Sequence, residues 1–467
     1  MFSHSTFNRA KKYIRFSPYF LCLAFAIVGS IVSVNRYLQF EAGYYDFGIF
    51  DRTLWLLSRF QMPIIDHFVL TGRPIFADHL YPSLLIMAPL YWLTDMRTIW
   101  LVVQASFAAL SGLVVYATAK YVLKREIPAI AVMLTYYSFV GLQNAIITEF
   151  HELTLMTLPL SLLIYATVRE NRKLFLLSFV WALGFKESTF MTLSPLMLFV
   201  MIRSPHLRRL AMLCGVIAVA WAAVAIYWII PSFSPQGYIY APTLPHSLLG
   251  IVKKLVDSHL KLSTLVTSSL SFGFANIVTP TLWPTYLLHY LARFTSESTT
   301  RHDLGLHYNA EIAPIYALSM ILFLNRLRNR KAILISSIVI VTLAIGLMRF
   351  KTHGPLLLSI NRAFYTHTKV FDYLEQAIAT VPENSNVLAH NNLAVRFTHH
   401  KDVHILRSAS QFAWADYIVI DTREGQNINN FLGIVNYDIH PIDLALQNSK
   451  THRLFKQFQT AKVYKRI

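Results

Sequence analysis

The sequence predicts a polytopic α-helical membrane protein of about eleven transmembrane helices, followed by a small soluble α/β domain. Three observations predict it. Of 467 residues, 55% are hydrophobic and 14% charged, with a mean hydropathy of +0.44, whereas soluble chains carry about a quarter charged residues. Long apolar runs recur as far as residue 349 and then stop. The basic residues behind the formal charge of +18 gather in short segments between those runs, a pattern that fits a bilayer and not a nucleic acid.

The elements follow in order. Apolar stretches near the 20 residues a span requires lie at 18–37, 98–119, 127–145, 152–168, 173–185, 188–202, 210–231, 262–279, 280–293, 309–325 and 332–349. Pro280 and Pro284 interrupt one pair, 262–279 and 280–293, which reads as two short helices. Arg9, Lys11, Lys12 and Arg15 precede the first run with no small-residue cleavage site after it, so the run reads as an uncleaved helix. Cys22 and Cys214 both lie inside apolar runs, which gives no disulfide framework. Residues 367–380 read as an amphipathic helix, and 387–390, 403–406, 416–421 and 462–467 as strands of a small sheet. Domain boundaries follow: a transmembrane domain over 1–355 with an external loop at 38–97, and a soluble domain over 356–467.

Orientation comes from Lys and Arg. With a cytoplasmic N-terminus, the clusters Lys120/Lys124/Arg125, Arg169/Arg172/Lys173, Arg203/Arg208/Arg209 and Arg326/Arg328/Arg330/Lys331 fall inside. Nearly all acids of the membrane domain then fall outside, and so does the soluble domain. The expected location is the plasma membrane.

Five polar clusters share that outer side. The first loop opens with Asp46 and Asp51, which point in different directions on a helix. A cap for the helix starting at Phe47 is the plain reading of Asp46; a reactive carboxylate beside Tyr44 and Tyr45, above an apolar slab, is the functional one. Asp78-His79 offers a cation or phosphate site, and is the candidate metal pair if a divalent cation is the cofactor. Glu149, His151 and Glu152 precede the span 152–168, where acids also complement the helix dipole. Lys186-Glu187 closes the next hairpin. Arg301, His302, Asp303, His307 and Tyr308 lie in the last loop. A base, an anion or cation site and a basic anchor are the parts that group transfer from a phosphate-activated donor needs.

The order YDFGIFDRTLW, FADHLYPSLLIMAPLYWL, EFHE, FKES and LGLHYNAEIAP, with NVLAHNNL and ADYIVID in the tail, resembles the bacterial membrane proteins of domain of unknown function 2079. That family is similar in layout to GT-C glycosyltransferases, integral membrane enzymes using lipid-phosphate-linked sugars. The resemblance implies a GT-C-like fold, Asp46 as the catalytic carboxylate, and Asp78 and His79 as the loop's second polar motif. Asp51, Asp78, His79, Glu149, His151, Glu152, Lys186, Glu187, His307 and Tyr308 are the substrate- and phosphate-binding candidates. The expected partners are the bilayer, a polyprenyl-phosphate sugar and a glycan, lipid or protein acceptor, with no nucleic acid. A transporter or flippase is the rival reading, and a non-catalytic assembly or sensor protein the third.

Overall fold

The structure, a computed structural model, describes residues 4–67, 72–241, 245 and 247–467, with the side chains of 4–13 and 367 left out. The helices that matter below are, in chain order, α1 His4–Leu38, α2 Ile49–Ser58, α3 Ile99–Leu123, α4 Glu126–Ser138, α5 Val140–Ile147, α6 Glu152–Leu155, α7 Thr157–Val168, α8 Arg172–Leu183, α9 Phe190–Arg203, α10 Arg208–Val224, α11 Leu248–Val256, α12 His259–Ser271, α13 Trp283–Phe294, α14 Ala313–Arg326, α15 Arg330–Gly346, α16 Asp372–Ile378 and α17 His440–Gln447, with short helical turns at Pro82–Leu85, Ile230–Phe233, Arg362–Thr368 and Asn391–Ala394. The strands are β1 Ile64–Ile65, β2 Arg73–Pro74, β3 Asn386–Ala389, β4 Asp402–Ile405, β5 Tyr417–Asp421, β6 His452–Phe458 and β7 Ala461–Arg466.

Each of the eleven predicted stretches carries a helix, but a count of about eleven spans is not reached. Among the described residues, 4 helices are long and apolar enough to cross a membrane: Ile14–Leu38, Ile99–Leu123, Pro205–Phe233 and Arg330–Lys351. The pair α4 and α5, bent by 51° at Phe139, would make 5. The shortfall is geometric. Helices α8, α9, α12, α13 and α14 have 12 to 14 residues, which at about 1.5 Å per residue fall short of a hydrocarbon core of about 30 Å.

The chain divides into two compact units, both discontinuous. The first holds residues 1–31, 79–84 and 101–357; the second holds 32–78, 85–100 and 358–467. In the first, α7 packs on α8, α9 on α10, and α4 on α15. Apolar side chains stay exposed along whole faces, for example Leu213, Val216 and Ile217 on α10 and Ile335, Ile338 and Val339 on α15. Continuous apolar exteriors of this kind suit lipid as solvent.

The second unit is built on a five-stranded sheet of order β4-β3-β5-β7-β6. Strand β3 pairs parallel to β4 and β5, and β7 pairs antiparallel to β5 and β6. Every residue of β5 is buried, so its run YIVI, closed by Asp421, reads as continuously apolar in the manner of a doubly covered strand. The predicted strands appear at β3, β4, β5 and β7. The sequence reading passed over β6, an edge strand with five consecutive exposed residues and no alternating apolar face to reveal it.

Candidate functional site: a cavity of mixed polar and apolar lining in the helical unit

The first unit encloses a cavity of ≈ 260 Å³. Its apolar lining includes Leu153, Phe190, Met191, Ile226 and Tyr227, and its polar lining includes His79, Lys186, Tyr238, Tyr240, Arg293, Arg301 and Tyr308.

The short segment 79–84 enters this unit by backbone contacts. The Ser83 N–H donates to the carbonyl of Gly184 at 2.8 Å, and the Ser83 hydroxyl donates to the carbonyl of Trp181 at 2.7 Å. Gly184 is needed there, since a Cβ would lie 2.3 Å from the Ser83 oxygen. The anchor sets His79 against Glu187, with 2.7 Å between Nδ1 and Oε1. Glu187 also accepts from the Leu80 N–H at 3.1 Å and the Tyr238 hydroxyl at 3.1 Å. Burial pushes the Glu187 carboxyl up, but His79, Lys186 and the Leu80 N–H outweigh it and hold the group at about 2. A permanent carboxylate on Nδ1 fixes the His79 ring. Its Nε2 has no protein partner among the described residues, and the ring stacks on Tyr240 at 4.4 Å.

Lys186 extends from the same turn and meets buried Glu152 at 2.9 Å. Glu152 opens α6, after a loop held by Gln104 of α3. The Gln104 amide donates to the carbonyls of Ala145, Ile146 and Glu149, and its oxygen accepts from the His151 N–H at 2.7 Å. Glu149 takes the left-handed conformation, φ 50°, to make that turn. His151 stacks on His307 at 3.4 Å, both buried. Burial, then Lys186, holds the His151 imidazole at about 3; burial and His151 push His307 well below its ordinary range.

The far wall is set by Arg293. Its guanidinium donates to the carbonyls of Arg301 and Asp303 and to Asn309 Oδ1 at 2.7 Å, which folds the loop 301–309 back over the cavity. Arg301 thereby sits between the rings of Tyr240 and Tyr308, 5.9 and 5.6 Å from their centroids. No carboxylate among the described residues pairs with it. His289 pairs with Glu311 at 2.7 Å on the same wall.

Seven of the predicted site residues therefore belong to one neighbourhood: His79, His151, Glu152, Lys186, Glu187, His307 and Tyr308. Glu149 contributes its carbonyl to the turn beside them. Asp46, Asp51 and Asp78 belong to the second unit. Asp46 is exposed on the turn Tyr44–Gly48. It is no helix cap: the helical run starts at Tyr44, and no side chain caps it or α2. The turn is held from the tail, where Asn391 Oδ1 accepts from the Tyr45 N–H at 3.0 Å and fills the space where Gly43 would carry a Cβ. Asp51 is fully buried, accepting from Tyr91 and Thr398 and lying 3.1 Å from His399 Nε2. Burial pushes its carboxyl up, yet His399 and Arg97 bring the net shift down. Asp78 lies 3.7 Å from His67. Among the described residues no three His, Cys, Asp or Glu side chains gather in a metal-holding group. Tyr238, Tyr240, His289 and Arg293 were missed in the sequence, because lone aromatics and a helical Arg carry no motif.

Residues 36–440 match the family described as Predicted membrane protein (DUF2079). The chain belongs to that family. No curated protein matches it by sequence. The fold is similar to the crystal structure of ArnT from Cupriavidus metallidurans bound to undecaprenyl phosphate, with TM-score 0.53 and 10% identity over 96% of this chain and 98% of that one. The protein is thus membrane-embedded, with an ArnT-like fold.

Proposed function

We propose that this protein is an inverting glycosyltransferase that moves a sugar from a polyprenyl-phosphate donor to an extracytoplasmic hydroxyl acceptor. The observation that carries the reading is the cavity: a hollow lined by apolar side chains together with Lys186, Arg293 and Arg301, inside a lipid-exposed helical unit, suits an isoprenoid phosphate better than a free solute. The ArnT-like fold, with undecaprenyl phosphate in that neighbour, supports the donor class.

In this reading the acceptor hydroxyl oxygen attacks the anomeric carbon, and the base proposed to take its proton is, on the family resemblance alone, Asp46. The bond from that carbon to the phosphate oxygen breaks, and the electron pair leaves with the lipid phosphate. Arg301 is the first anchor for that charge, because Glu152 already offsets Lys186. His79, oriented by Glu187, presents Nε2 as a donor to the leaving oxygen. Glu149, His151 and His307 shape the turn beneath them. Asp78 lies against His67 and His79 against Glu187, and among the described residues neither belongs to a group of three potential metal ligands.

The test is transfer of radiolabelled sugar from polyprenyl phosphate to acceptor in purified membranes. Asp46→Asn is expected to lower transfer by about 10²–10⁴-fold with expression and donor retention unchanged. Full activity in that variant would remove the assignment of Asp46. Substrate counterflow without any transfer would replace the enzyme by a transporter.

A further inference from the structure

A second cavity, of ≈ 450 Å³, lies in the helical unit between residues 125–128 and 330–334. It is lined by Arg125, Arg330 and Lys331 over an apolar floor of Ile127, Pro128 and Leu334. The one acid on its rim, Glu126, is turned to other partners: it lies 2.8 Å from Lys120 and accepts from the Tyr116 hydroxyl. None of the three cations has a carboxylate partner among the described residues.

The cavity also receives two helix starts. Helix α4 begins at Glu126 directly after Arg125, and α15 begins at Arg330 with Asn329 as its cap. These two helices pack together, so two positive dipole ends and three cations converge on one hollow. Below it, α15 leaves an apolar lane open: Leu334, Ile335, Ile338 and Val339 are 36%, 60%, 48% and 58% exposed and fall on one side of the helix.

From this we infer an anionic-phospholipid site, with the headgroup phosphate between Arg125, Arg330 and Lys331 and an acyl chain along Leu334–Val339. A free anion would use the cations but not the lane. A zwitterionic lipid would use the lane but bring its own cation into a hollow that already holds three. Cardiolipin, with two phosphates, matches the charge best. The site shares no lining residue with the first cavity and does not depend on what that cavity does.

The test uses delipidated full-length protein in detergent, titrated with cardiolipin, with phosphatidylcholine and with inorganic phosphate, with binding read by native mass spectrometry and by Tm. Cardiolipin is expected to bind and raise Tm where phosphatidylcholine and inorganic phosphate do not. Removing cations in Arg125→Gln, Arg330→Gln and Lys331→Gln should weaken it roughly fivefold each, and on the order of a hundredfold together. The control Arg203→Gln, Arg208→Gln and Arg209→Gln, equal in charge on another basic segment, should leave binding within about twofold. Equal loss in both triple variants, or no loss in the first, would overturn the site. A Tm rise with inorganic phosphate equal to that with cardiolipin would also overturn it, leaving a free-anion site. Should the first triple variant not fold, Arg330→Gln alone, on the exposed first turn of α15, decides the matter.

Discussion

The two compact units use the same polar residue types in opposite ways. In the second unit the buried carboxylates are fully committed. Asp66 accepts from the Ile405 N–H at 2.6 Å and pairs with Arg407 at 2.9 Å, Asp51 is held by four groups, and Asp421 accepts from Tyr373 and Thr460. In the cavity of the helical unit, buried charged groups orient neighbours whose outer atoms remain uncommitted: the Glu187 carboxylate fixes His79 and leaves Nε2, and the Arg293 guanidinium places Arg301 without neutralising it. A polar group whose hydrogen bonds are all made holds a shape, and one with a donor left over can hold a ligand.

Three substitutions bear on that contrast. Asp66→Ala strands the buried side of Arg407 and a β4 N–H, and should cost about 3–5 kcal/mol of stability, seen as lost folded yield and a lower denaturation midpoint. A wild-type midpoint would dissolve the distinction between the units. Arg301→Gln should leave folding intact and weaken donor binding by about ten- to a hundredfold, measured by retention of radiolabelled polyprenyl phosphate; unaltered retention would move the phosphate anchor elsewhere. The smallest effect is a pH slope. His151 is held at about 3, below its ordinary 6.5, so the unfolded chain binds a proton there that the folded one refuses. Its contribution is present above about 6.5 and declines as pH falls from there towards 3. His151→Phe, which keeps the stacked ring on His307, should make Tm fall less steeply between pH 6.5 and 4. An unchanged slope would mean that other groups set the acid limb.

The same contrast marks how much was legible beforehand. EFHE and FKES were readable as polar ends of apolar helices, and those ends do meet, through Lys186 and Glu152. Asp51, offered from the sequence as a binding candidate, is instead fully buried among Tyr91, Thr398 and His399. That pairing itself was invisible, since Thr398 lies 347 residues away from Asp51 and no periodicity reports a contact of that range. Arg293 was illegible for a different reason. It is one Arg on an apolar helix, ordinary until a loop eight residues further on folds back to accept its hydrogen bonds.

By itself, then, the sequence determined what local rules encode: lipid-seeking helices, basic segments between them, most strands of the tail and the polar ends of the helices. Only the tertiary structure decided that residues 32–78 and 85–100 belong with residues 358–467 in one compact unit. It also decided which polar side chains are consumed by that packing, because hydrogen-bond partners hundreds of residues apart are chosen by the fold and leave no mark on the spacing of either.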